Sequence, residues 1–255
     1  MIFETLGDRM KYYESYNNDK FPPNLPVCVR LDGKGFHNYT RGFDKPFDER
    51  LHDAMNITTE TLIDRSNAKV GYTQSDEITL IFIPEKVYFD GKPQKICSVL
   101  ASIASVTFNK VMRDKYNIDR EAIFDCRSFF LPTLQECVNC LVWREQDAIR
   151  NSIQMASRSL YSHNECDNKN CSELQEMLHK KSVNWNDYSL RQKRGEYYIS
   201  SKVTSKMTLE DMESLPEKHH AKLNPTLEVT RTEVKKAEFI KLSSVENQVE
   251  LLFGK

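Results

Sequence analysis

Two short segments of the 255-residue chain place isolated carboxylates next to β-rich runs. In VRLDGKGFHNY (29–39), Asp32 directly follows an apolar, strand-like stretch, and in VGYTQSDEITLIF (70–82), Asp76 and Glu77 separate two strand-like runs. Strand-end and turn residues of an antiparallel sheet can lie side by side. Clustered carboxylates repel one another unless a cation neutralises them, and oxygen ligands favour Mg²⁺. The spacing therefore indicates a candidate magnesium site.

The residues around Asp32 also suit a phosphate group. Gly33 and Gly35 let the backbone approach an anion closely, and Lys34 adds positive charge. Two Mg²⁺ ions held by carboxylates can activate an attacking hydroxyl and stabilise a leaving pyrophosphate, which is the chemistry of a palm-type polymerase or nucleotide cyclase. From the residues alone an alternative stays open, because DGKG is also a good turn sequence and SDE can be a solvated hairpin tip.

The elements that must position these acids follow from apolar periodicity. They are a helix in 3–17, a strand at 27–31, a long helix after Pro46, a hairpin across 70–82, a helix at 95–116, a strand in 122–132 and a helical region at 134–163. Whether the last region is broken in its middle stays open. The order predicts an α+β fold, an antiparallel β-sheet with helices packed on one face.

Composition bounds the class of protein. The chain is 39% hydrophobic and 29% charged, with a net charge of −1 and a pI near 6.6. These values predict a soluble globular protein and exclude a uniformly basic nucleic-acid-binding chain, so an anionic partner would need a local basic patch. We expect no membrane span, no signal peptide and a cytoplasmic location.

The seven cysteines show no disulfide-framework spacing and are expected to be reduced thiols. Cys137 and Cys140 in CVNC, and Cys166 and Cys171 near His163, leave a zinc site as an alternative. Because zinc needs four ligands of suitable spacing, ordinary packed or exposed thiols are the favoured interpretation.

Five segments resemble, in order and spacing, the tRNA-histidine guanylyltransferase superfamily. They are VRLDGKGFH, FDKPFDERL, GYTQSDEITLIF, FDCRSFFLP and WREQDAIRNSIQMASRSLYSH. The likeness covers most of residues 4–200, and KLSSVENQVELLF near the C-terminus is similar too. It points to the tRNA-guanylyltransferase-like branch of 3′–5′ polymerases, whose members act on RNA 5′ ends. The resemblance implies a palm-like catalytic domain at 1–135 and a helical and C-terminal extension at 136–255 for RNA contact and oligomerisation.

The resemblance also implies roles for individual residues. Asp32 and Asp76 would hold two Mg²⁺ ions, with the Gly33 carbonyl as a further ligand and Glu77 as the adjacent third acid. The nucleotide site would include Asp32, Gly33, Lys34, Gly35, Phe36, His37, Lys45, Asp48, Ser75 and Asp76. Lys45 would contact the activating nucleotide and count as catalytic; for His37, a structural turn role is the alternative. The implied substrates are GTP and ATP, or other nucleoside triphosphates, and a tRNA or tRNA-like RNA, handled by a homotetramer.

One departure bears on the RNA. Eukaryotic members of the family carry a HINNLYN segment after WRQAD, whereas here WREQD is followed by AIRNSIQM. Ile149 stands where the motif has histidine, and Asn151 keeps one asparagine. The missing histidine favours template-dependent repair of 5′-truncated tRNA over guanylate addition to tRNA-histidine.

Six basic residues are candidates for RNA contact: Arg144, Arg150, Arg158, Arg191, Lys193 and Arg194. For Arg144, Arg150 and Arg158, the alternative is pairing with Asp147 and Glu145. For Arg191, Lys193 and Arg194, the alternative is a solvated surface strand. Trp143 is expected in the core, since a large aromatic residue at helical spacing usually packs. His219 and His220 are expected at the surface.

Two other functional classes compete with the polymerase hypothesis. A nucleotide cyclase or signalling-nucleotide synthase would use the same acids without RNA, and the basic RQKRG segment argues mildly against it. A non-catalytic RNA-binding or chaperone module would be expected to have lost acids, yet Asp32, Asp76 and Glu77 are all present.

Overall fold

The computed structural model describes residues 4–16, 18–217, 228–238 and 241–255, so His219 and His220 lie outside the described residues. Within those ranges the strands are β1 (Val27–Gly33), β2 (Val70–Gln74), β3 (Glu77–Phe82), β4 (Phe124–Phe130), β5 (Glu196–Lys206) and β6 (Glu228–Lys236). The helices are α1 (Leu6–Ser15), α2 (Phe36–Tyr39), α3 (Glu49–Ser66), α4 (Pro93–Tyr116), α5 (Leu134–Arg158), α6 (His163–Cys166), α7 (Cys171–Lys180), α8 (Leu190–Arg194), α9 (Leu209–Ser214) and α10 (Gln248–Phe253).

The strands form a single antiparallel sheet with the order β4-β1-β3-β2-β5-β6. The predicted antiparallel α+β fold is therefore confirmed. In the register, Asp32 pairs with Glu77 on β3 and with Asp125 on β4. Directly opposite residues of antiparallel strands project from the same face, so these three acids share one face at one end of the sheet.

Helices cover both faces of the sheet, not the one face that was predicted. Alternate residues of β1 separate the two layers, because Val29 joins the core under α3 and α4 whereas Cys28 joins the core under α5 and α10. Successive side chains of a strand point to opposite faces, and β1 and β2 are buried almost throughout. Such strands read as continuous apolar runs, and this pattern does not say how many helical layers cover them.

The two helices that flank the site begin at well-formed caps. Asp48 caps α3, accepting hydrogen bonds from the backbone N–H groups of Arg50 at 2.9 Å and Leu51 at 3.3 Å. Thr133 caps α5, which then runs unbroken for 25 residues. The possible break in this region is thus absent, and a polar stripe of α5 faces the acidic end of the sheet.

Helix α4 is, among the described residues, the one helix long and apolar enough by length and composition to cross a membrane. The composition-based expectation did not anticipate it. Its buried residues recur every four positions from Ile96 to Met112 and pack in the core against α3 and the sheet. This spacing is that of an amphipathic core helix.

The segments on either side of residue 135 share this sheet. The predicted boundary falls in the first turn of helix α5, and strand β5 follows it, yet β5 pairs with β2 and α5 covers the second face. The division at 135 stays a prediction. The RQKRG segment forms most of α8 and ends at Gly195, so the surface-strand alternative is wrong.

Candidate active site

The hairpin between β2 and β3 brings the two predicted metal carboxylates together. Ser75 and Asp76 form its two-residue turn, and Ser75 adopts the left-handed region with φ +54°. The backbone N–H of Gly33 donates a hydrogen bond to the Asp76 carbonyl at 3.1 Å, which joins the turn to the end of β1. Asp32, Asp76 and Glu77 therefore converge, as the sequence predicted.

The electrostatics of the pair are those of a cation site. Burial and the nearby charge of Asp32 raise the pKa of Asp76 to about 6. Burial, followed by the charge of Asp125, raises the pKa of Asp32. Neither carboxylate forms an ion pair with any residue in the described part of the chain. Adjacent acids with raised pKa values and no cationic partner fit a hard divalent cation.

Glu77 shares the cleft but is already neutralised. Arg144 on α5 donates to both of its carboxylate oxygens, at 2.6 and 2.8 Å, and also to Asp147 at 2.9 Å. The described ranges contain no group of three or more His, Cys, Asp or Glu side chains arranged to hold a metal ion. Of the three acids, Asp32 and Asp76 remain available to a metal, and the metal role of the Gly33 carbonyl stays a prediction.

The glycine loop after β1 is held by an aromatic anchor. A Cβ on Gly33 would lie 2.3 Å from the Phe36 ring, so only glycine fits beneath that ring. Gly35 begins α2 with φ +66°, a conformation that favours glycine. Phe36 is 5% exposed and packs against Phe108 and Phe124, with ring centroids 5.4 and 5.2 Å away. Its ring belongs mainly to the core and positions the loop.

Two adjoining cavities open on either side of Asp76. The first has a volume of about 290 Å³ and is lined by Asp32, Tyr72, Gln74, Ser75, Asp76, Glu77, Arg144, Asp147, Asn151, Gln154, Met155 and Arg158. The second, of about 590 Å³, is lined by Gly33, Gly35, Phe36, His37, Thr40, Phe43, Asp44, Lys45, Pro46, Asp48, Leu51, Ser75, Asp76, Met155, Arg158 and Ser159. Ser75, Asp76, Met155 and Arg158 line both, so one acid and one arginine lie at their boundary.

The second cavity holds most of the predicted nucleotide-loop residues. Lys45 and Arg158 line it, and neither side chain has a hydrogen bond or ion pair within the described residues. Asp48 lines it too, but its carboxylate caps α3 and pairs with Arg50 at 2.5 Å. Lys34 is exposed and does not line either cavity. Its backbone N–H donates a hydrogen bond to the Ile123 carbonyl at 2.8 Å.

Sequence reasoning missed most of the contribution of α5 to the first cavity. The lining residues of α5 are Arg144, Asp147, Asn151, Gln154, Met155 and Arg158. They recur every three or four positions, which is one face of a helix. A polar stripe opposite the buried face of a helix usually means solvent, so this signal was present but ambiguous.

The other basic candidates for RNA contact have partners inside the chain. Arg150 pairs with Asp147 at 2.7 Å, and Arg194 pairs with Glu145 at 3.2 Å. Arg191 pairs with Glu49. Lys193 donates to the Asn186 carbonyl at 2.6 Å. The anticipated pairing thus holds for Arg144 and Arg150, and the RNA role of all six residues stays a prediction.

The expectation that Trp143 lies in the core is wrong. Its side chain is 49% exposed, because it points away from the buried face of α5 and lies over the guanidinium groups of Arg144 and Arg30. Cation–π contacts hold an aromatic ring at a surface without burying it. Helical spacing alone does not distinguish the two placements.

The central strands of the antiparallel sheet end in paired aspartates, and the adjoining cavities are lined by Lys45 and Arg158, which have no internal partner among the described residues. This fold and site define the class as a nucleotide-handling transferase. The family model "tRNAHis guanylyltransferase" (Thg1) matches residues 7–132. A bacterial Thg1-like protein solved in complex with ATP is 41% identical, with a TM-score of 0.73 over 76% of this chain and 88% of that one. The chain therefore belongs to the Thg1 family of tRNA guanylyltransferases, which are nucleotidyltransferase enzymes.

Two further similarities agree with that assignment. A bacterial Thg1-like protein in complex with GTP is 38% identical, with a TM-score of 0.65 over 77% of this chain and 86% of that one. An uncharacterized protein of Acanthamoeba polyphaga mimivirus is 34% identical over 224 residues, 76% of this chain and 77% of the relative. The matched part spans only 51–64% of the length of the curated tRNA(His) guanylyltransferases that it resembles.

Proposed function

We propose that this protein is a Mg²⁺-dependent nucleotidyltransferase that adds nucleotides in the 3′–5′ direction to the 5′ end of a tRNA. The observation that carries the proposal is the pair of cavities that meet at Asp76. A reaction that first activates the 5′ end and then extends it requires space for a triphosphate on each side of one acidic centre. The Thg1-like structures solved with ATP and with GTP support both triphosphates as substrates.

The chemistry has two displacements at phosphorus. In the first, an oxygen of the RNA 5′-monophosphate attacks the α-phosphorus of ATP, and pyrophosphate leaves. In the second, the 3′-hydroxyl of the incoming triphosphate attacks the 5′ phosphorus of the activated RNA, loses its proton, and displaces AMP. An RNA that already carries a 5′-triphosphate omits the first displacement and releases pyrophosphate in the second.

The residues present fit the metal that this chemistry requires. Asp32, Asp76 and the Gly33 carbonyl would hold Mg²⁺, since they are hard oxygen donors and burial, together with the charge of Asp32, raises the pKa of Asp76. The bound metal would supply neutralisation of phosphate charge and a lowered pKa for the attacking hydroxyl. Lys45 and Arg158, with no internal partner among the described residues, would bind triphosphate oxygens by charge-assisted hydrogen bonds.

Template-dependent repair is the better match to the first cavity than guanylate addition to tRNA-histidine. Ile149, at the position of the family's histidine, packs against the apolar cluster formed by α5, α6 and α7 and does not line the cavity. Asn151 and Gln154 do line it, and amides of this kind bind ribose or base edges without selecting guanine alone. Pairing with the opposite RNA strand would then choose the nucleotide. We extend the proposal to a homotetramer, as the family resemblance implies, and to a cytoplasmic location; sedimentation at assay concentration tests the mass.

A primer-extension assay tests the function. The substrate is 5′-monophosphorylated tRNA that lacks its first nucleotide, incubated with ATP, Mg²⁺ and each nucleoside triphosphate in turn, and read on a sequencing gel. Wild type should add one nucleotide that follows the template. Asp76→Asn should lose at least roughly a hundredfold to a thousandfold in rate, as expected when a charge that stabilises the transition state is removed. Asp114→Asn, on the exposed side of α4, serves as the matched control.

The same assay separates the competing classes. Absence of extension even from 5′-triphosphorylated tRNA would reject the polymerase function. Mg²⁺-dependent pyrophosphate release without RNA would then favour a cyclase or signalling-nucleotide synthase. Tight RNA binding without any turnover would favour a binding module.

A further inference from the structure

Beside the acidic cleft, and outside both cavities, a half-exposed tryptophan lies over two arginines. Trp143 is 49% exposed, and the guanidinium carbons of Arg144 and Arg30 lie 4.6 and 5.9 Å from the centroid of its ring. Arg30 precedes Asp32 by two positions on β1, so both side chains project from the same face of the sheet. The indole is therefore next to the candidate reaction centre.

A second arginine lies beside Arg30 on the neighbouring strand β4. The β1–β4 register places Arg127 directly opposite Arg30, on the same face, one step behind the opposed pair Asp32 and Asp125. Like charges directly opposite each other destabilise a sheet. Arg127 is largely exposed and forms a long ion pair with Asp125, in which the nitrogen and oxygen atoms are 3.9 Å apart. Ion pairs as long as those of Arg127 with Asp125 and of Arg30 with Glu77 offset little of the repulsion between the two arginines.

The nearby acid Glu77 forms only a long ion pair with Arg30. Arg144 occupies both oxygens of Glu77, and the Arg30 Nε is left 4.0 Å from the nearer one. That Nε is buried and has no hydrogen-bond partner among the described residues. A buried donor without a partner is unfavourable. An anion bound in front of Arg30 and Arg127 would offset their mutual repulsion.

We propose that Trp143, Arg30 and Arg127 form a platform for one nucleotide of the RNA strand. The base stacks on the indole, and the phosphodiester lies between the two arginines. A free phosphate would use the arginines and leave the indole idle, whereas a nucleotide of a strand uses all three side chains. The platform rests on the proposed function and deepens it, because it assigns the surface that holds the RNA beside the acids.

Tryptophan fluorescence can observe the stacked base directly, because the chain has two tryptophans. The other, Trp185, is buried and donates its indole N–H to Ser152 Oγ at 3.1 Å. A Trp185→Phe variant leaves Trp143 as the sole emitter, and a Trp143→Phe variant leaves Trp185. Titration with 5′-truncated tRNA, in EDTA and without triphosphates, should quench the first variant and leave the second nearly unchanged.

Affinity measurements supply a second, independent readout. By filter binding, Trp143→Ala should weaken tRNA binding about fivefold or more, the lower range for loss of one stacked base. Arg127→Gln should weaken binding several-fold and reduce the slope of log affinity against log salt by about one. Arg113→Gln is the matched control, since it removes an arginine of similar exposure that pairs with Asp114 on α4. It should leave affinity and slope unchanged.

Each outcome decides the proposal. Quenching confined to Trp143, with weaker binding by both variants, supports the platform. Unchanged binding by Trp143→Ala, or quenching equal at both tryptophans, overturns it. A change of sedimenting mass in Trp143→Ala without any RNA effect would mean that a second copy covers the indole, and overturns it as well. Extension by wild type without Trp143 quenching rejects the platform alone, whereas quenching without extension rejects the polymerase function and keeps the platform.

Discussion

Two carboxylate groups of this protein, Glu196 and Asp76, differ in what surrounds them. Glu196, at the start of β5, is 4% exposed and lies among cationic and polar partners. It contacts His52 Nε2 at 2.9 Å and accepts hydrogen bonds from Asn56 and Lys236. Burial raises its pKa, but the contacts with His52 and Lys236 outweigh burial and lower the pKa to about 2. Asp76 has no ion pair with any described residue, and burial and the charge of Asp32 raise its pKa to about 6.

The difference separates charge used for stability from charge held for a ligand. Glu196 on β5 has its partners on α3 and β6, and these partners are all internal. Asp32 and Asp76 repel each other, and Lys45 and Arg158 nearby have no internal partner among the described residues. Repulsion between two acids at the ends of the central strands is characteristic of a site that a bound ligand or metal ion completes.

The largest stability effect is expected at the partnered group. Glu196→Gln should lower the free energy of unfolding at pH 7 by about 3 kcal/mol, which corresponds to the lowering of its pKa from 4.5 to about 2. A lowered folded-state pKa gives stability that is complete above pH 4.5 and is lost as pH falls toward 2. Urea unfolding at pH 7 and pH 3 checks both points: the gap between wild type and variant should shrink in acid.

Glu233→Gln is the control for that measurement, since Glu233 forms an exposed pair with Lys235 on β6 and should contribute little. A gap between wild type and Glu196→Gln that stays constant with pH would show that the carboxylate charge of Glu196 is not what stabilises this region. The two carboxylate groups would then differ in position only.

How far the sequence predicted these two regions depends on local signals. Asp32, Asp76 and the glycine loop were recognisable because a strand end and a two-residue turn are local features with characteristic residues. Glu196 was not, because its partners His52 and Lys236 lie 144 and 40 residues away. The predictions that Trp143 lies in the core and that helices cover one face of the sheet failed for a related reason. Periodicity defines a helix face but not what covers it.

A smaller effect is expected at the arginine between the cavities. Arg158→Gln should raise the KM for nucleoside triphosphate about tenfold, which is the loss of one charge-assisted hydrogen bond, and leave the free energy of unfolding within about 0.5 kcal/mol. Steady-state extension kinetics and urea unfolding measure the two quantities. The comparison is sharpened if Arg158→Gln changes triphosphate binding without changing stability, and Glu196→Gln changes stability without changing ligand binding.

The smallest effect is expected at Arg150, two turns earlier on the same helix. Arg150 is exposed and pairs with Asp147, which Arg144 also holds, so Arg150→Gln should change neither KM nor stability by much. An increase in KM as large as that of Arg158→Gln would mean that general positive charge on α5, and not the boundary between the cavities, governs triphosphate binding.

The central claim is that Asp32 and Asp76 have no internal ion-pair partner because they bind a metal ion. Direct measurement of divalent-cation binding tests this claim. Mn²⁺ binding is followed by the loss of the free-ion electron paramagnetic resonance signal, with a non-hydrolysable GTP analogue present, in wild type, Asp76→Asn and Glu196→Gln. Wild type and Glu196→Gln should bind Mn²⁺ with the same stoichiometry, and Asp76→Asn should lose most of it. Equal binding by Asp76→Asn and wild type would contradict the account, because the metal would then not depend on the carboxylate at which the two cavities meet.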